Sequence, residues 1–241
     1  MHCEIGVFME CCAVVVAAGM GKRMRSAKAK QYLLVEGKPI LAYTLLRIAR
    51  INFIDGIVLV AGKNDISLCT EEIVSQYNID KIIDIVAGGQ RRQDSVYCGL
   101  NRLSAVSPRY VFVHDGVRPF FSSAVFKDVF NAVKKYHAAV AGLPIFSTVK
   151  ECGADMIVKR TVPRETLWEI QTPQGFSYRL IKDAYEHIFN ICATVTDDAM
   201  AVEMFGHEVK MVEGNEENIK ITTPNDLRVA HSILKNWSDD I

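Results

Sequence analysis

The chain has 241 residues, of which 49% are hydrophobic and 23% are charged, a composition typical of a globular protein with a sizeable core. Its 28 basic and 28 acidic residues leave no basic excess with which to hold a nucleic-acid backbone. The longest apolar runs are far shorter than the roughly 20 residues of a membrane-spanning helix. We therefore expect neither nucleic acid nor a membrane as a partner.

The N-terminus and the cysteines both favour an intracellular protein. Residues 1–12 contain Glu4 and Glu10 without a cationic stretch, which is not typical of a secretory signal peptide. The seven cysteines are scattered, with no CxxC pair and no zinc spacing, and this pattern is typical of reduced, buried thiols. The expected location is the cytoplasm, or a plastid-type compartment if the source is a eukaryote.

Strand-like and helix-like segments alternate through the first 145 residues. The predicted strands are Cys12–Ala18, Gly56–Ala61, Lys81–Ala87, Tyr110–His114 and Ala138–Ile145. The predicted helices between them are Pro39–Ile51, Asp65–Tyr77, Asp94–Leu103 and Val125–His137. This alternation predicts a Rossmann-like α/β fold, with a mostly parallel sheet covered by helices on both faces. Ligands of such sheets bind at the carboxyl ends of the strands.

The alternation breaks at Phe146–Trp168, where charged residues interrupt two short β-like stretches. We interpret this segment as a β-hairpin arm that leaves the domain and builds a dimer; a packed surface loop is the alternative. The later predicted elements are a helix at Ser177–Asn190, strands at Glu208–Val212 and Asn218–Thr222, and a helix at Pro224–Trp237. Residues 1–241 are thus predicted to form a single domain with an arm at about 146–168.

A glycine loop follows the first predicted strand and is the strongest local signal for a phosphate site. Gly19 and Gly21 permit close approach of backbone N–H groups to phosphate oxygens, and Arg23 and Lys30 supply positive charge. The loop is not a P-loop, because arginine follows Lys22, and it lacks the third glycine of a dinucleotide fingerprint. A purely structural turn is the alternative.

Four further clusters combine polar residues with a position that suits ligand binding. Gly88–Ser95 could admit a flat base or simply begin a helix, and Asp115 at a strand end could bind Mg²⁺ or occupy a turn. His114 next to it has no ligand-spaced partner and is interpreted as structural. Thr196-Asp197-Asp198 could bind ligand or cap a helix, and Lys220 could face a site or solvent.

Six motifs occur in the order seen in 2-C-methyl-D-erythritol 4-phosphate cytidylyltransferases, which the chain resembles from about Cys12 to Trp237. The motifs are VAAGMGKRM with KQY, GGQRRQDSV, VHDGVRP, LWEIQTPQGF, TDDAMAVE and NIKIT. The resemblance implies a nucleotidyltransferase fold and transfer of CMP from CTP to methylerythritol phosphate, with Mg²⁺ as the metal. It also implies a homodimer in which each arm reaches into the neighbour's site.

The roles implied by the resemblance are carried over by position in these motifs. Catalytic cations would be Arg23, Lys30 and Lys220, and Asp115 would bind the metal. The implied CTP-binding residues are Ala17, Ala18, Gly19, Gly21, Gly89 and Ser95. The implied acceptor-binding residues are Arg118, Thr148, Arg164 and Thr196, of which Thr148 and Arg164 would act from the other subunit.

Three positions depart from the family's usual pattern: Ala29 stands in place of proline, Gly116 in place of alanine, and Ser147 in place of aspartate. None of them removes a cationic or metal-binding group. The nearest rival function is that of a ribitol 5-phosphate cytidylyltransferase, which differs in the acceptor pocket. A catalytically inactive nucleotide sensor is a rival of another class, and the broken glycine pattern disfavours an NAD-dependent oxidoreductase.

Overall fold

The computed structural model describes residues 9–19 and 29–236 and is built on a seven-stranded sheet. The strands in chain order are β1 Cys11–Ala17, β2 Leu34–Val35, β3 Lys38–Pro39, β4 Gly56–Ala61, β5 Ile82–Ala87, β6 Tyr110–Asp115, β7 Ala138–Pro144, β8 Val149–Cys152, β9 Val158–Val162, β10 Trp168–Ser177 and β11 Lys210–Glu213. The order across the main sheet is β11-β7-β10-β6-β1-β4-β5. β2–β3 and β8–β9 form separate two-stranded ladders.

Helices follow most of the strands of the main sheet. They are α1 Ile40–Ala49, α2 Ile66–Leu68 with a π-helical continuation at Cys69–Ser75, α3 Arg92–Arg102, α4 Ser123–Tyr136, α5 Tyr178–Asn190, α6 Asp198–Met204 and α7 Pro224–Asn236. Short 3₁₀ turns lie at Lys30–Tyr32, Leu103–Ala105 and Arg164–Thr166. Among the described residues, no helix is both long enough and apolar enough to cross a membrane.

The predicted mostly parallel sheet with helices on both faces is confirmed. β1 lies in the middle and pairs in parallel with β4 on one side and with β6 on the other, so that Val14 lies opposite Val58 and Val113. Because alternate side chains of a strand point to opposite faces, Ala13 and Val15 pack with α1 and α4, whereas Val14 packs with α3 and α5. The core therefore has two halves separated by the sheet.

One central strand was missed by sequence reasoning. β10 pairs antiparallel with both β6 and β7, with an irregularity between Ile170 and Gln174. Its sequence, WEIQTPQGFS, is rich in polar residues and contains proline and glycine, which are depleted in central strands. The buried polar side chains of this strand are hydrogen-bonded, for example Gln174 to Asp197 and Thr172 to His114.

The predicted strand at Asn218–Thr222 is wrong. These residues form no ladder with the sheet, although Ile221 N donates to Val117 O at 2.9 Å. The segment is instead fixed by side chains, because Asn218 Nδ2 donates to Thr172 O at 2.8 Å and Asp226 Oδ2 accepts from Thr222 N at 2.8 Å. The alternating apolar pattern reflects the burial of Ile221 beneath α7 rather than a strand.

The segment predicted as an arm contains a β-hairpin. β8 pairs antiparallel with β9, and most of its residues are exposed. Large apolar side chains are exposed on or beside the hairpin, with Phe146 73%, Met156 80% and Ile157 66% accessible. The hairpin fits the predicted arm; its role in a dimer stays a prediction.

Helix α3 approaches the sheet so closely at Gly99 that only glycine fits. A Cβ atom there would lie 2.4 Å from Val14 Cγ1 and 3.0 Å from Val60 Cγ2, well inside contact distance. We expect Gly99→Ala to lower the free energy of unfolding by about 1–3 kcal/mol, because the overpacking outweighs the better helix propensity of alanine. Chemical denaturation should reveal this loss, and Asp128→Ala on the exposed side of α4 should change stability little. Equal stability of Gly99→Ala and the wild type would contradict this packing.

Candidate active site

Two cavities open at the carboxyl edge of the sheet and meet along a shared wall. The first has a volume of about 190 Å³ and is lined by Val16, Ala17, Ala18, Gly19, Lys30, Gln31, Gly89, Gln90, Arg91, Arg92, Ser95, Asp115, Val117 and Lys220. The second has a volume of about 440 Å³ and is lined by Arg92, Asp115, Arg118, Ile170, Gln171, Thr172, Gln174, Thr196, Asp197, Met200, Glu203 and Lys220. Arg92, Asp115 and Lys220 line both cavities.

Asp115, at the end of β6, is the centre of this shared wall. The residue is 6% exposed, and its carboxylate contacts Lys220 Nζ at 2.8 Å, Arg92 Nε at 3.3 Å and Arg118 Nε at 3.4 Å. Burial alone would raise the pKa of Asp115, but the charges of Arg92, Lys220 and Arg118 together outweigh it and hold the pKa well below its ordinary value. Asp115 is therefore ionised throughout the physiological pH range.

His114 supports Asp115 from the core. Its Nε2 pairs with Arg118 O at 3.0 Å and its Nδ1 pairs with Thr172 Oγ1 at 3.1 Å, while Asp115 N donates to the same hydroxyl at 3.1 Å. Burial lowers the pKa of His114 to about 4, so the ring is neutral near pH 7. Both ring nitrogens are occupied, which agrees with a structural role for His114.

Arg92, in the first turn of α3, connects Asp115 to a second buried carboxylate. Its Nη1 and Nη2 donate to Asp198 Oδ1 and Oδ2 at 3.0 Å and 2.8 Å, and Asp198 is completely buried. Tyr185 Oη also donates to Asp198 Oδ1, at 2.6 Å. Asp198 is therefore more than the capping residue considered from the sequence; Asp197 caps α6, accepting from Met200 N at 3.1 Å.

Lys220 is held at the junction by its flanking residues. Arg118 Nη1 donates to Asn218 O at 2.7 Å, and Ile221 N donates to Val117 O at 2.9 Å, so the chain is anchored on both sides of the lysine. The Lys220 side chain is 34% exposed, and its ammonium group lies against Asp115. The solvent-facing alternative for this lysine is thereby excluded.

The first cavity is formed around the end of β1 and the start of α3. Gln31 is buried and donates through Nε2 to Ala17 O at 2.6 Å, which fixes the turn that carries Lys30. Gly88 packs so closely that an added Cβ would lie 2.4 Å from Ala18 Cβ and 2.7 Å from Ser95 Oγ. The hydroxyl of Ser95 accepts from Gly89 N at 3.2 Å. The result is a slot in which small residues and backbone groups lie beside the charged side chains of Lys30, Arg92 and Asp115.

Most of the sequence-predicted site residues come together. The first cavity contains Ala17, Ala18, Gly19, Lys30, Gly89, Ser95, Asp115 and Lys220, and the second contains Arg118, Thr196, Asp115 and Lys220. Arg118 is only 8% exposed, and its Nη1 already donates a hydrogen bond to Asn218 O. Gly21 and Arg23 lie outside the described residues. Thr148 and Arg164 are exposed in the arm and line neither cavity; Arg164 Nη1 donates to Phe146 O.

Sequence reasoning gave no role to Arg92 and Gln174, which line the cavities, and it did not foresee the pairing of Asp198 with Arg92. Gln174 Oε1 accepts from the main-chain N of both Asp198 and Ala199 at 3.0 Å, and its Nε2 donates to Asp197 Oδ2 at 2.9 Å. All three belong to motifs that were noted in the sequence. Their contacts join positions far apart in the chain, such as Arg92 with Asp198, so spacing alone could not reveal them.

Comparison with known proteins agrees with this geometry. The family model described as IspD, 2-C-methyl-D-erythritol 4-phosphate cytidylyltransferase, matches residues 11–236. A 2-C-methyl-D-erythritol 4-phosphate cytidylyltransferase of Clostridium novyi is 42% identical over 93% of this chain and 96% of the relative. One from Geotalea uraniireducens is 43% identical over 96% of this chain and 100% of the relative.

A solved structure gives the same result. The crystal structure of 4-diphosphocytidyl-2C-methyl-D-erythritol synthase from Anaerococcus prevotii superposes with a TM-score of 0.81 and 36% sequence identity, over 93% of this chain and 96% of that one. The sequence similarity extends over nearly the whole chain, and so does the structural similarity. The chain therefore belongs to the 2-C-methyl-D-erythritol 4-phosphate cytidylyltransferase family.

Proposed function

We propose that the protein transfers CMP from CTP to 2-C-methyl-D-erythritol 4-phosphate, releasing pyrophosphate and forming 4-diphosphocytidyl-2-C-methyl-D-erythritol, a step of non-mevalonate isoprenoid synthesis. The observation that carries this proposal is the meeting of two cavities at Asp115, Arg92 and Lys220. A transfer between two phosphorylated substrates needs two adjacent pockets with cations at their junction. CTP occupies the first cavity and the acceptor phosphate occupies the second.

The reaction needs positioning and charge stabilisation rather than a protein nucleophile. An oxygen of the ionised acceptor phosphate attacks the α-phosphorus of CTP, the bond to the bridging oxygen breaks, and pyrophosphate leaves. Lys30 lines the nucleotide cavity and holds the triphosphate, Arg23 is assigned the same role by its motif position, and Lys220 lies between the two cavities. Ala17, Ala18, Gly19, Gly89 and Ser95 line the CTP slot, Gly21 is assigned to CTP binding by its motif position alone, and Arg118 and Thr196 line the acceptor cavity.

The donor set at Asp115 fits Mg²⁺ as it is usually bound with nucleotides. Mg²⁺ takes one or two carboxylates from the protein and completes its coordination with substrate phosphates and water. Asp115 supplies one ionised carboxylate at the junction. Among the described residues, no group of three or more His, Cys, Asp or Glu side chains could hold a metal ion without help from substrate or water. Bound there, the ion would neutralise phosphate charge and orient the triphosphate. Asp115 would hold it, while Lys220 and Arg92 remain beside the phosphates.

We further propose that residues 1–241 act as one domain within a homodimer and that the arm completes the partner's site. The exposed apolar side chains of Phe146, Met156 and Ile157 suit an interface between subunits. Thr148 and Arg164 are exposed beside this apolar surface, where a partner subunit could receive them. In that arrangement Arg164 adds a cation to the acceptor pocket of the other chain.

The proposal is tested by incubating the purified protein with CTP, Mg²⁺ and methylerythritol phosphate and measuring pyrophosphate. We expect pyrophosphate to form together with one equivalent of the cytidylylated product, detected by ³¹P nuclear magnetic resonance. Ribitol 5-phosphate in place of the acceptor should give little product. The opposite preference would identify the rival transferase, and CTP binding without pyrophosphate release would identify a nucleotide sensor.

A further inference from the structure

Arg92 is shared unequally between two carboxylates at the junction of the cavities. Its two terminal nitrogens form a bidentate pair with Asp198 at 3.0 Å and 2.8 Å, whereas only Nε reaches Asp115, at 3.3 Å. Bidentate pairs are the stronger and more directional of the two arrangements. Arg92 is therefore held mainly by Asp198 and touches Asp115 from a fixed position.

Asp198 is itself fixed by a buried tyrosine and by a side chain that lines the acceptor cavity. Tyr185 Oη donates to its Oδ1 at 2.6 Å, and its main-chain N donates to Gln174 Oε1 at 3.0 Å. Asp198 and Tyr185 are both completely buried. Because neither side chain lines either of the two cavities, the Asp198 carboxylate acts on the site through Arg92.

The pairing of Arg92 with Asp198 reduces the positive charge that acts on Asp115. Three cations face Asp115, namely Arg92, Arg118 and Lys220, and Asp198 is the second carboxylate on Arg92. Without Asp198, the full charge of Arg92 would act on Asp115 and oppose any metal ion that approaches it. Such opposition is strong in a buried site, where charges are weakly screened.

We propose that Asp198 is a positioning residue that holds and neutralises Arg92, so that Asp115 remains available to the divalent cation that accompanies the nucleoside triphosphate. This inference rests on the proposed function, since it assumes that the first cavity binds a triphosphate with its metal. It extends the site to the first turn of α6, the helix that also borders the acceptor cavity.

The test is the Mg²⁺ dependence of CTP binding in Asp198→Asn, measured by titration calorimetry without acceptor. Asparagine keeps the shape of the side chain and removes its charge. We expect the Mg²⁺ concentration that gives half-maximal CTP binding to rise about tenfold, because Arg92 then competes with the ion for Asp115. CTP binding at saturating Mg²⁺ should recover.

Asp183→Asn is the matched control. Asp183 lies on α5 and loses the same charge, but its carboxylate faces Arg179 at 4.0 Å and lines neither cavity. We expect its Mg²⁺ midpoint to equal that of the wild type. Equal shifts of the Mg²⁺ midpoint in both variants would overturn the inference but leave the proposed function standing. A wild-type protein that binds no CTP at any Mg²⁺ concentration would overturn the proposed function.

A double variant keeps the inference testable if Asp198→Asn fails to fold. Arg92→Gln with Asp198→Asn removes both charges of the buried pair, which costs less stability than leaving one of them unpaired. It also restores the balance of charge around Asp115. We expect its Mg²⁺ midpoint at saturating CTP to lie near the wild-type value, and a midpoint raised tenfold or more would overturn the inference.

Discussion

Lys220→Met should lower kcat by about 10²–10³ while the protein remains folded, which is the size of effect expected when one preorganised charge is removed from a transition state. Methionine keeps the length of the side chain and removes the ammonium group. That group lies 2.8 Å from Asp115 and lines both cavities, so it is placed to stabilise charge as it moves from the acceptor to the pyrophosphate. Steady-state pyrophosphate release measures the effect.

The control for this variant is Lys210→Met. Lys210 is an exposed lysine that lies on β11, with its ammonium group 5.6 Å from the ring of Tyr136, and it belongs to neither cavity. Its turnover should match the wild type. If Lys220→Met retained wild-type kcat with an unchanged melting temperature, Lys220 would have no catalytic role and the junction would need another cation.

The central part of the fold was predictable because its signals are local. β1, β4, β5, β6 and β7 are short apolar runs bounded by turn residues, and the helices between them carry a regular apolar face. Parallel pairing then placed the polar clusters at one edge of the sheet, where the two cavities are found. Local pattern and sheet topology were therefore enough to predict that Gly19, Gly89 and Asp115 lie at this edge of the sheet.

What could not be predicted depends on contacts between distant residues. β10 is buried although its sequence is polar, because Gln174 is satisfied by the start of α6 and Thr172 by His114. In the same way, Arg92 and Asp198 are each ordinary helix-start residues in the sequence, and their pairing gives them their role. Lys220 was expected on a strand and is instead held by Asn218 and Ile221. A single sequence contains no direct signal for such pairings.

Mixing two inactive variants should restore activity if the arm acts on the neighbouring subunit. Lys30→Ala damages the CTP cavity of its own chain, and Arg164→Ala damages the acceptor pocket that its arm would enter. Each homodimer should be inactive. A heterodimer carries both lesions in one site and none in the other, so random exchange of equal amounts should restore about one quarter of wild-type activity. Pyrophosphate release after verified subunit exchange measures the recovery.

The complementary pair Lys30→Ala with Lys220→Met separates this result from a general effect of mixing. Lys30 and Lys220 line the same cavity of one chain, so every site in their heterodimer keeps one lesion and no activity should return. Recovery with Arg164→Ala but not with Lys220→Met can arise only if Arg164 serves the other subunit's site. If neither mixture recovers although exchange is complete, Arg164 acts within its own chain or not at all. The exposed apolar side chains of Phe146, Met156 and Ile157 would then have to be covered by something other than the site of a partner subunit.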